Sequence, residues 1–376
     1  IFSLSLLSSI LPFLYSYFTN PYSLFPFPFS LFPVPYSLFP IPCSLFPVPH
    51  LMINSYLPKV SVIVPIYNGE NDLPELIRCL RSQTYPVAQV EYLLVDNYSC
   101  DRTSTILQSE ATIPGLSIVP LLETNIQSSY AARNTGIRAA TGEIIVFTDV
   151  DCRPEPNWLS EIVPGFINSN LGIAVGEIIA FPGQTLWEKY ADRQNTLSQK
   201  HTLAHPFYPY GQTANLAIRR QVFLEVGLFR PYLTTGGDAD ICWRIQQQTN
   251  WQLGFFPSAI IRHRHRSTLP EFQSQWRRYG KSNRYLHELY GVDLMRELPT
   301  SEYLYLLARW LGKELPINLI KAIARQAPPI DLFSTPVSLL AAAARTRGQR
   351  QAQLPPLARQ IDWLSPPEEG EDLRSR

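Results

Sequence analysis

The chain has 376 residues, of which 45% are hydrophobic and 17% charged, and its formal net charge at pH 7 is +1. This length allows two domains and this composition supports a substantial core, so we expect a globular protein. A balanced charge argues against a protein that binds polyanions over its whole surface, and we expect no nucleic-acid partner. The five cysteines are widely spaced without a C-x-x-C pair, which indicates neither a disulfide framework nor a zinc site and fits a reducing compartment.

Residues 1–58 contain no Asp, Glu, Lys or Arg, and from Ser23 a seven-residue unit beginning S-L-F-P occurs four times in succession. The frequent prolines remove amide donors and prevent a regular helix, so we do not expect a membrane span here. The segment also lacks the basic start of a signal peptide. We expect residues 1–58 to be a low-complexity segment outside the fold. Within it, we expect residues 1–51 to be either a disordered tail or not part of the natural protein, which would then start at Met52.

From Lys59 onward, strand-like and helix-like segments alternate, which is the signature of an α/β domain with a mostly parallel sheet. We predict strands at 60–66, 92–95, 116–122 and 144–147, a further strand-like stretch at 253–261, and helices at 72–82, 103–108, 130–140 and 241–248. In doubly wound sheets the ligand lies beyond the carboxyl ends of the strands. The polar residues at the first four strand ends are therefore expected to meet at one cleft: Asn68, Asp96, Glu123 and Asp149.

Two acidic residues follow the strand predicted at 144–147. This strand is a continuous β-branched and aromatic run, and Asp149 and Asp151 come just after it. Side chains two residues apart at a strand end point to the same side, so both carboxylates can face one hard cation such as Mg²⁺ or Mn²⁺. The alternative is that both are turn or N-cap residues before the Pro-Glu-Pro-Asn segment at 154–157.

Six short motifs follow one another between Val60 and Arg244. They are V-S-V-I-V-P-I-Y-N at 60–68, V-D-N-Y-S-C-D at 95–101, A-A-R-N-T-G at 131–136, F-T-D-V-D at 147–151, N-L-A-I-R-R at 215–220 and G-G-D-A-D-I-C-W-R at 236–244. Together, and in this order, they resemble the family 2 glycosyltransferases with the nucleotide-sugar-binding GT-A fold. The resemblance covers about half of the chain. It implies a GT-A domain at 59–290, with a Rossmann-like, mostly parallel sheet and flanking helices, and a helical C-terminal extension and tail at 291–376.

The resemblance implies a donor site after the first two strands. In such enzymes the turn after the first strand and the Asp that ends the second contact the nucleoside, which here are Pro65, Tyr67 and Asp96. Tyr67 can stack on a base and Asp96 can accept the imide N–H of uracil, although Asp96 can also form an Asx turn into Asn97. Arg133 lies in the family's A-R-N-x-G motif and is implied to contact the nucleotide, whereas a solvated helical arginine is the alternative.

The resemblance also assigns the metal ligands and the catalytic base. Asp149 and Asp151 match the family's D-x-D motif, whose acids position a divalent metal, Mg²⁺ or Mn²⁺, on the diphosphate of the donor. Asp238 matches the family's E-D motif, in which the aspartate is the general base for an inverting displacement. The preceding position, usually Glu, is Gly237 here, so a neighbouring acid is missing. The alternative for Asp238 and Asp240 is a helix cap, and Asp240 is expected in that role.

The last two motifs and the stretch after them supply candidates for the acceptor or phosphate side: Asn215, Arg244, His263 and His265. Related enzymes often place a histidine near the metal or diphosphate here, and the sequence does not choose between the two. Residues 262–284 carry seven Lys or Arg against one Glu, a local excess of +6. Such a patch suits the phosphates of a donor, of a lipid-phosphate acceptor or of an anionic membrane, and a solvated basic helix is the alternative.

Residues 302–324 have apolar side chains at helical spacing, but charges and Pro316 interrupt them, so we do not expect a membrane span. This helix either lies in a membrane interface, anchored by Tyr305 and Trp310, or packs on the catalytic domain. From Ala327 the sequence mixes Pro, Gln and charges, and we expect partial order at best. We expect a cytoplasmic protein or one that is peripheral at the inner face of the plasma membrane.

The predicted function is transfer of a sugar, with inversion, from a nucleotide donor, a UDP-sugar, to a hydroxyl of a sugar or lipid-linked acceptor in polysaccharide or glycolipid biosynthesis. Gly237 leaves a second interpretation open, a protein that binds nucleotide sugars without turnover. A sugar nucleotidyltransferase is disfavoured because the first strand runs into Pro-Ile-Tyr-Asn and not into a glycine-rich phosphate loop. The sequence does not indicate an oligomeric state.

Overall fold

The computed structural model of the protein describes residues 57–364. The predictions for residues 1–56, including the repeats and the start at Met52, and those for residues 365–376 lie outside the described residues. Within the described part, no helix is both long and apolar enough to cross a lipid bilayer.

One sheet of eight strands forms the centre of the described residues. In chain order the strands are β1 (Val60–Ile66), β2 (Val90–Asp96), β3 (Ser117–Leu122), β4 (Ile144–Phe147), β5 (Cys152–Pro154), β6 (Leu171–Ala180), β7 (Leu216–Arg219) and β8 (Gln252–His263). In space their order is β3-β2-β1-β4-β7-β6-β8-β5. The first four strands in space are parallel, β7 is antiparallel to both of its neighbours, β6 and β8 are parallel, and β5 is antiparallel to β8. The predicted parallel sheet is therefore found in one half, and the other half is mixed.

Helices flank this sheet. They are α1 (Leu73–Arg81), α2 (Thr103–Ala111), α3 (Ser129–Ala139), α4 (Trp158–Ile162), α5 (Leu186–Arg193), α6 (Lys200–Leu203), α7 (Val222–Val226), α8 (Gly237–Gln248), α9 (Leu269–Tyr290), α10 (Thr300–Arg309), α11 (Leu315–Ile323) and α12 (Ser334–Gln351). The helices predicted at 72–82, 103–108 and 130–140 correspond to α1, α2 and α3. The helix predicted at 241–248 begins earlier, at Gly237.

The central strands are buried on both faces. β1, β2 and β4 are buried along their whole length, as their predominance of Val, Ile, Leu and aromatic residues predicts, although β1 also contains Ser61 and β2 contains Glu91. Because successive strand residues point to opposite faces, Val62 packs with Leu76 of α1 whereas Ile63 packs with Ile137 of α3. This packing on both faces fixes the carboxyl ends of β1 and β4 side by side, where the candidate site begins.

The two longest helices, α9 and α12, approach each other through glycines. A Cβ atom at Gly280 of α9 would lie 1.9 Å from the carbonyl oxygen of Arg345, and one at Gly348 of α12 would lie 2.0 Å from the carbonyl oxygen of Arg277. No side chain fits at either position, so glycine is required for this backbone contact. The C-terminal helix is thereby attached to α9.

The segment after Ala327 is ordered as far as the structure describes it, so the expectation of partial order at best is wrong for residues 327–364. After α12 the chain returns to the core, where Leu354, Ala358 and Leu364 pack in the same hydrophobic cluster as Phe229. The backbone N–H of Leu228 donates to the carbonyl of Asp362 at 2.7 Å, and Arg138 forms an ion pair with the Asp362 carboxylate at 2.8 Å. The apolar residues of this segment are few and irregularly spaced, so the sequence contains no periodic pattern that predicts its packing in the core.

Candidate active site

A cleft of about 610 Å³ opens at the carboxyl ends of β1 and β4. The turn after β1, the start of α3, the segment after β4, the start of α8 and one side of α9 all contribute to its walls. Eight of the residues predicted from the sequence line it: Pro65, Tyr67, Asn68, Arg133, Asp149, Asp151, Asp238 and His263. The sheet therefore brings together residues that are as many as 198 positions apart, from Pro65 to His263.

Asp151 and His263 form a close pair on the cleft wall. Cys152 of β5 is paired with His263 of β8 in an antiparallel ladder, which sets Asp151 beside the end of β8. Oδ2 of Asp151 lies 3.2 Å from Nε2 of His263 and 3.6 Å from Nη2 of Arg266. Nδ1 of His263 donates to the carbonyl of Arg264 at 2.6 Å, which turns Nε2 toward the carboxylate.

The electrostatics of this pair follow from its geometry. Burial on its own raises the pKa of Asp151, but the hydrogen bond from His263 and the positive charges of His263 and Arg266 outweigh burial and lower the pKa to about 2. For His263, burial lowers the pKa, and the hydrogen bond and charge of Asp151 reverse the shift and raise the pKa. Asp151 is thus a carboxylate throughout the physiological range.

Asp151 and His263 also fit a divalent cation. With Cys152 they form a group whose ligand atoms all lie within 4.8 Å of one another. Burial raises the pKa of the fully buried Cys152 thiol well above its ordinary value, so this side chain stays protonated and packs in the core. The Asp151 carboxylate and the His263 imidazole are therefore the two side chains of this group that can ligate a metal, the imidazole through Nε2 once a cation replaces the proton shared with Asp151.

Asp149 has a different partner from the one expected. Its Oδ1 accepts a hydrogen bond of 2.6 Å from Nη2 of Arg133, whose side chain is only 4% exposed. The Arg133 guanidinium also lies 5.5 Å from the ring centre of Tyr130, and its Nε has no hydrogen-bond partner among the described residues. Asp149 thus pairs with an arginine and Asp151 with a histidine, and both line the same cleft. That the two acids share one cation stays a prediction.

Asp238 lies in the first turn of α8 and lines the cleft. Its Oδ1 accepts a hydrogen bond of 3.0 Å from Oγ1 of Thr213. Burial raises the pKa of Asp238; the charge of Arg133 opposes this shift and that of Asp149 adds to it. A carboxylate with a raised pKa at the wall of a cleft is suited to accepting a proton.

The first turn of α8 explains two other residues of the last motif. The helix starts after Gly236, whose φ of +80° favours glycine. Asp240 therefore lies inside the helix and is not its cap, and its buried carboxylate forms ion pairs with Arg230 and Arg244. The prediction that Asp240 caps the helix is wrong because the helix begins one turn earlier.

Gly237, which replaces the expected acid, lies against an aromatic ring. A Cβ atom at this position would be 2.6 Å from the ring of Tyr130, and the Gly237 N–H donates to the Tyr130 hydroxyl at 2.9 Å. The space and the hydrogen bond at this point are therefore taken by Tyr130. A glutamate at 237 would displace the Tyr130 ring. The position of Tyr130 therefore requires a glycine at 237.

Five predicted residues do not line the cleft, and one of them, Glu123, accepts a hydrogen bond from the Thr135 hydroxyl at 2.7 Å. Asp96 is 4% exposed and its Oδ1 accepts from the N–H of Ser99 at 3.0 Å, which is the Asx turn that was the alternative. Nε2 of His265 lies 3.1 Å from Oδ1 of Asp192, away from the cleft, so the structure selects His263.

Asn215 and Arg244 are structural residues within the core. The Asn215 side chain is fully buried, accepts from Nε1 of Trp158 at 2.8 Å and donates to two backbone carbonyls. The Arg244 side chain is 2% exposed and donates to the carbonyl of Leu228 at 2.7 Å as well as pairing with Asp240. Their assignment to the acceptor or phosphate side is corrected, because both side chains use their polar atoms to join elements of the fold.

The cleft also contains residues that the sequence did not single out. Tyr130 and Thr213 contact Arg133 and Asp238, and nothing in their local sequence marks them. Arg266 and Arg278 line the cleft and belong to the basic stretch at 262–284, which gave the only signal for them. Other members of that stretch point elsewhere, for example Arg262, which pairs with Glu155, and Arg284, which pairs with Glu288. The stretch is therefore not one continuous phosphate surface.

Comparison with known proteins gives a consistent result. A family model described as "Glycosyl transferase family 2" matches residues 61–233. The chain is 36% identical over 189 residues to the glycosyltransferase AglE of Haloferax volcanii, covering 50% of this chain and 60% of the relative. It is 27% identical over 190 residues to the undecaprenyl-phosphate 4-deoxy-4-formamido-L-arabinose transferase of Pseudomonas aeruginosa, covering 49% of this chain and 55% of the relative. The chain thus spans about half to three fifths of the length of these curated relatives.

Among solved structures, the fold is similar to that of the mannosyltransferase PcManGT from Pyrobaculum calidifontis in complex with GDP-Man and Mn²⁺. The TM-score is 0.54 at 21% sequence identity, and the match covers 78% of this chain and 88% of the mannosyltransferase. At this level of identity the likeness concerns the fold. It extends beyond the segment matched by the family model, into the later strands and helices.

Proposed function

Because residues 61–233 belong to glycosyl transferase family 2 and the chain has the predicted GT-A fold, we propose that it transfers a sugar from a nucleotide-diphosphate donor to an acceptor hydroxyl with inversion. One observation carries the proposal: a single cleft holds a carboxylate–imidazole pair, an arginine–carboxylate pair and a separate carboxylate of raised pKa. These are the parts needed to hold a diphosphate leaving group and to deprotonate an acceptor.

On the donor side, we assign the nucleotide to the wall formed by Pro65, Tyr67, Arg133 and Asp149. Tyr67 is 53% exposed at the cleft and offers its ring for stacking on a base, and a UDP-sugar is the proposed donor. Arg133 is buried, and its Nε carries a proton without a partner among residues 57–364, so it is suited to a phosphate or base oxygen. Its ion pair with Asp149 holds the guanidinium in place.

Mg²⁺ or Mn²⁺ is proposed to bind at Asp151 and His263. When bound, the cation neutralises charge on the diphosphate as the bond to the sugar breaks. Arg266, 3.6 Å from Asp151, adds a second positive charge on the same side of the cleft. Asp149 is left to the nucleotide side, which differs from the expectation that both acids of the D-x-D motif share the cation.

Asp238 is proposed as the general base. Its carboxylate accepts the proton of the acceptor hydroxyl as the hydroxyl oxygen bonds to the anomeric carbon, and the electron pair of the breaking carbon–oxygen bond leaves with the nucleoside diphosphate. Thr213 holds one oxygen of Asp238 by its hydrogen bond, which leaves the other directed to the acceptor. The raised pKa makes Asp238 a stronger base than an ordinary aspartate.

For the acceptor we propose a hydroxyl of a sugar or of a lipid-linked acceptor, with the protein cytoplasmic and peripheral at the membrane. Support comes from the name of the Pseudomonas aeruginosa relative, which includes undecaprenyl phosphate, and from Arg266 and Arg278, which give the cleft a basic side. Gly237 favours one rival proposal, that the protein binds nucleotide sugars without transferring them, since the usual acid is replaced by a contact with Tyr130.

The test is a panel of nucleotide sugars with Mn²⁺, scored for nucleotide release with and without mixed lipid and sugar acceptors. The proposal predicts release from one donor that rises strongly when the correct acceptor is present. Donor binding without release in any combination would support the rival, and release of pyrophosphate would contradict both.

A further inference from the structure

A continuous helical arm runs from α10 through a π-helical turn (Trp310–Glu314) into α11, and none of its residues is buried. Its inner side is fixed to the rest of the protein by polar contacts. Nε1 of Trp310 donates to the carbonyl of Leu332 at 2.8 Å, and Nδ2 of Asn318 donates to the carbonyl of Asp331 at 3.0 Å. Of the two residues expected to anchor this helix in a membrane interface, Trp310 contacts the rest of the protein, whereas the Tyr305 side chain is 63% exposed.

The outer side of the arm exposes an unusual number of large apolar side chains for a helix of a globular protein. Eight of them are exposed, reaching 67% for Ile320 and 76% for Ile323; the eight are Leu304, Tyr305, Leu307, Leu311, Ile317, Leu319, Ile320 and Ile323. Amphipathic helices of globular proteins turn such residues toward the core. Apolar residues concentrated on one exposed element mark an interaction surface.

The charged side chains of the arm that remain outside ion pairs within residues 57–364 are basic. Its two acids are each in an ion pair, Glu302 with Arg296 and Glu314 with Arg309. Lys313 and Lys321 are exposed and form no ion pair with any residue of 57–364. The arm therefore combines exposed apolar side chains with exposed, uncompensated positive charge.

We propose that the outer side of this arm docks on the surface of an anionic lipid bilayer, with Ile320, Ile323 and their neighbours in the acyl boundary and Lys313 and Lys321 at the lipid phosphates. The charge pattern favours this occupant over a second copy of the chain. In a two-fold dimer the same patch meets itself, so the lysines would approach one another without acidic partners. An anionic bilayer offers both an apolar layer and the opposite charge.

This inference deepens the proposed function and rests on it in one respect, since docking would bring the cleft to a lipid-linked acceptor. The structure links the two regions physically. α10 and α11 pack on α12 and the turn before it, α12 packs on α9 through Gly280 and Gly348, and α9 contributes Arg278 to the cleft. Docking itself is measured without turnover, so its failure and that of the proposed function are distinguishable.

The experiment is co-sedimentation of the full chain with phosphatidylcholine vesicles that contain or lack phosphatidylglycerol. The parent is expected to bind the mixed vesicles and to bind the neutral ones more weakly. The double variant Ile320→Glu with Ile323→Glu is expected to lose at least ~10-fold in partition to the mixed vesicles. The double variant Lys313→Gln with Lys321→Gln is expected to reduce binding to the mixed vesicles and to leave binding to the neutral vesicles unchanged. Its binding to the mixed vesicles should also depend less on the salt concentration.

A matched control is Ile167→Glu with Leu224→Glu, two exposed apolar residues outside the arm, which should bind like the parent. Every variant carries the same residues 1–58, so a contribution from that segment cancels. Calorimetry with a nucleoside diphosphate checks that the cleft is intact in each. Absence of vesicle binding by the parent, or equal binding by the Ile320 and Ile323 double variant, would overturn the proposal. So would a dimer in sedimentation velocity that this double variant dissociates.

Discussion

At the scale of single residues, the proposed metal site depends on one strand pairing. Asp151 follows β4 and His263 ends β8, and only the short ladder between β5 and β8 brings them within 3.2 Å. The same ladder leaves His265 on a different surface, in contact with Asp192. Two histidines that look alike in the sequence thus have different surroundings.

We predict that Asp151→Ala and His263→Ala each lose the metal-dependent part of donor binding, by at least ~10-fold, because each removes one of the two ligands. Calorimetry with a nucleoside diphosphate, with and without Mn²⁺, measures this. His265→Ala is the matched control and should keep the metal dependence. A metal-dependent affinity that survives in both cleft variants would place the cation elsewhere.

The sequence predicted which residues line this cleft better than it predicted which of them contact one another. Motifs identified Asp149, Asp151, Arg133 and Asp238, because short segments at strand ends carry the chemistry and keep their order along the chain. The partner of each residue depends on contacts between elements far apart in the sequence, such as Asp238 with Thr213. Those contacts have no local signature, and for the same reason Asn215 and Arg244 were assigned to the site although they serve the core.

At the scale of elements, a buried carboxylate joins three segments of the sheet. Glu91, at the start of β2, accepts hydrogen bonds from Oγ of Ser61 at 2.6 Å and from the N–H and hydroxyl of Thr141 at 2.7 and 2.8 Å. Burial raises the pKa of Glu91, but these hydrogen bonds outweigh burial, and the pKa lies below its ordinary value of 4.5.

A lowered pKa in the folded state means that Glu91 stabilises the fold above its unfolded pKa and that this stabilisation disappears as the pH falls through the folded pKa. We therefore predict that Glu91→Gln lowers the free energy of unfolding by about 1–3 kcal/mol at pH 7 and by less at pH 3. Denaturant unfolding at the two pH values measures the difference. The exposed Glu161→Gln should change stability by less than ~0.5 kcal/mol at either pH, and an equal loss for Glu91→Gln at both pH values would contradict the account.

The contact between α9 and α12 gives a second prediction at this scale. Gly348→Ala should destabilise the protein by about 1–3 kcal/mol, because the added methyl group meets the Arg277 carbonyl and overpacks the interface. Gly312→Ala is the control: a Cβ atom there has no neighbour within 4 Å, so the higher helix propensity of alanine should leave stability equal or increased by up to ~1 kcal/mol. Thermal unfolding compares them, and equal midpoints for the two variants would show that the helices do not approach so closely.

The elements that could be predicted are those whose own sequence determines them. β1, β2 and β4 are mostly apolar and rich in β-branched residues, and α1 carries an apolar face with Pro74 in its first turn. The antiparallel β7 and the start of α8 were less clear. β7 is four residues long, and α8 begins directly after Gly236, a glycine in the left-handed conformation, which the sequence does not distinguish from a turn.

At the scale of the whole molecule, the C-terminal residues complete the core. The segment that follows α12 packs beside Phe229, and Asp362 contacts both Asn134 and Arg138 of α3. α3 also carries Tyr130 and Arg133 in the cleft. The predicted boundary between a catalytic domain at 59–290 and an extension at 291–376 stays a prediction, although these contacts tie the two parts together within residues 57–364.

The central claim is that this cleft binds the donor on one side and removes the acceptor proton on the other. Substitution Asp238→Asn tests it most directly, because the amide keeps the size of the side chain and cannot accept the proton at neutral pH. The measurement is donor affinity and turnover on the same preparation. We predict donor binding close to that of the parent and transfer slower by at least ~100-fold. Equal loss of binding and turnover, or loss of neither, would contradict the assignment of the base to Asp238.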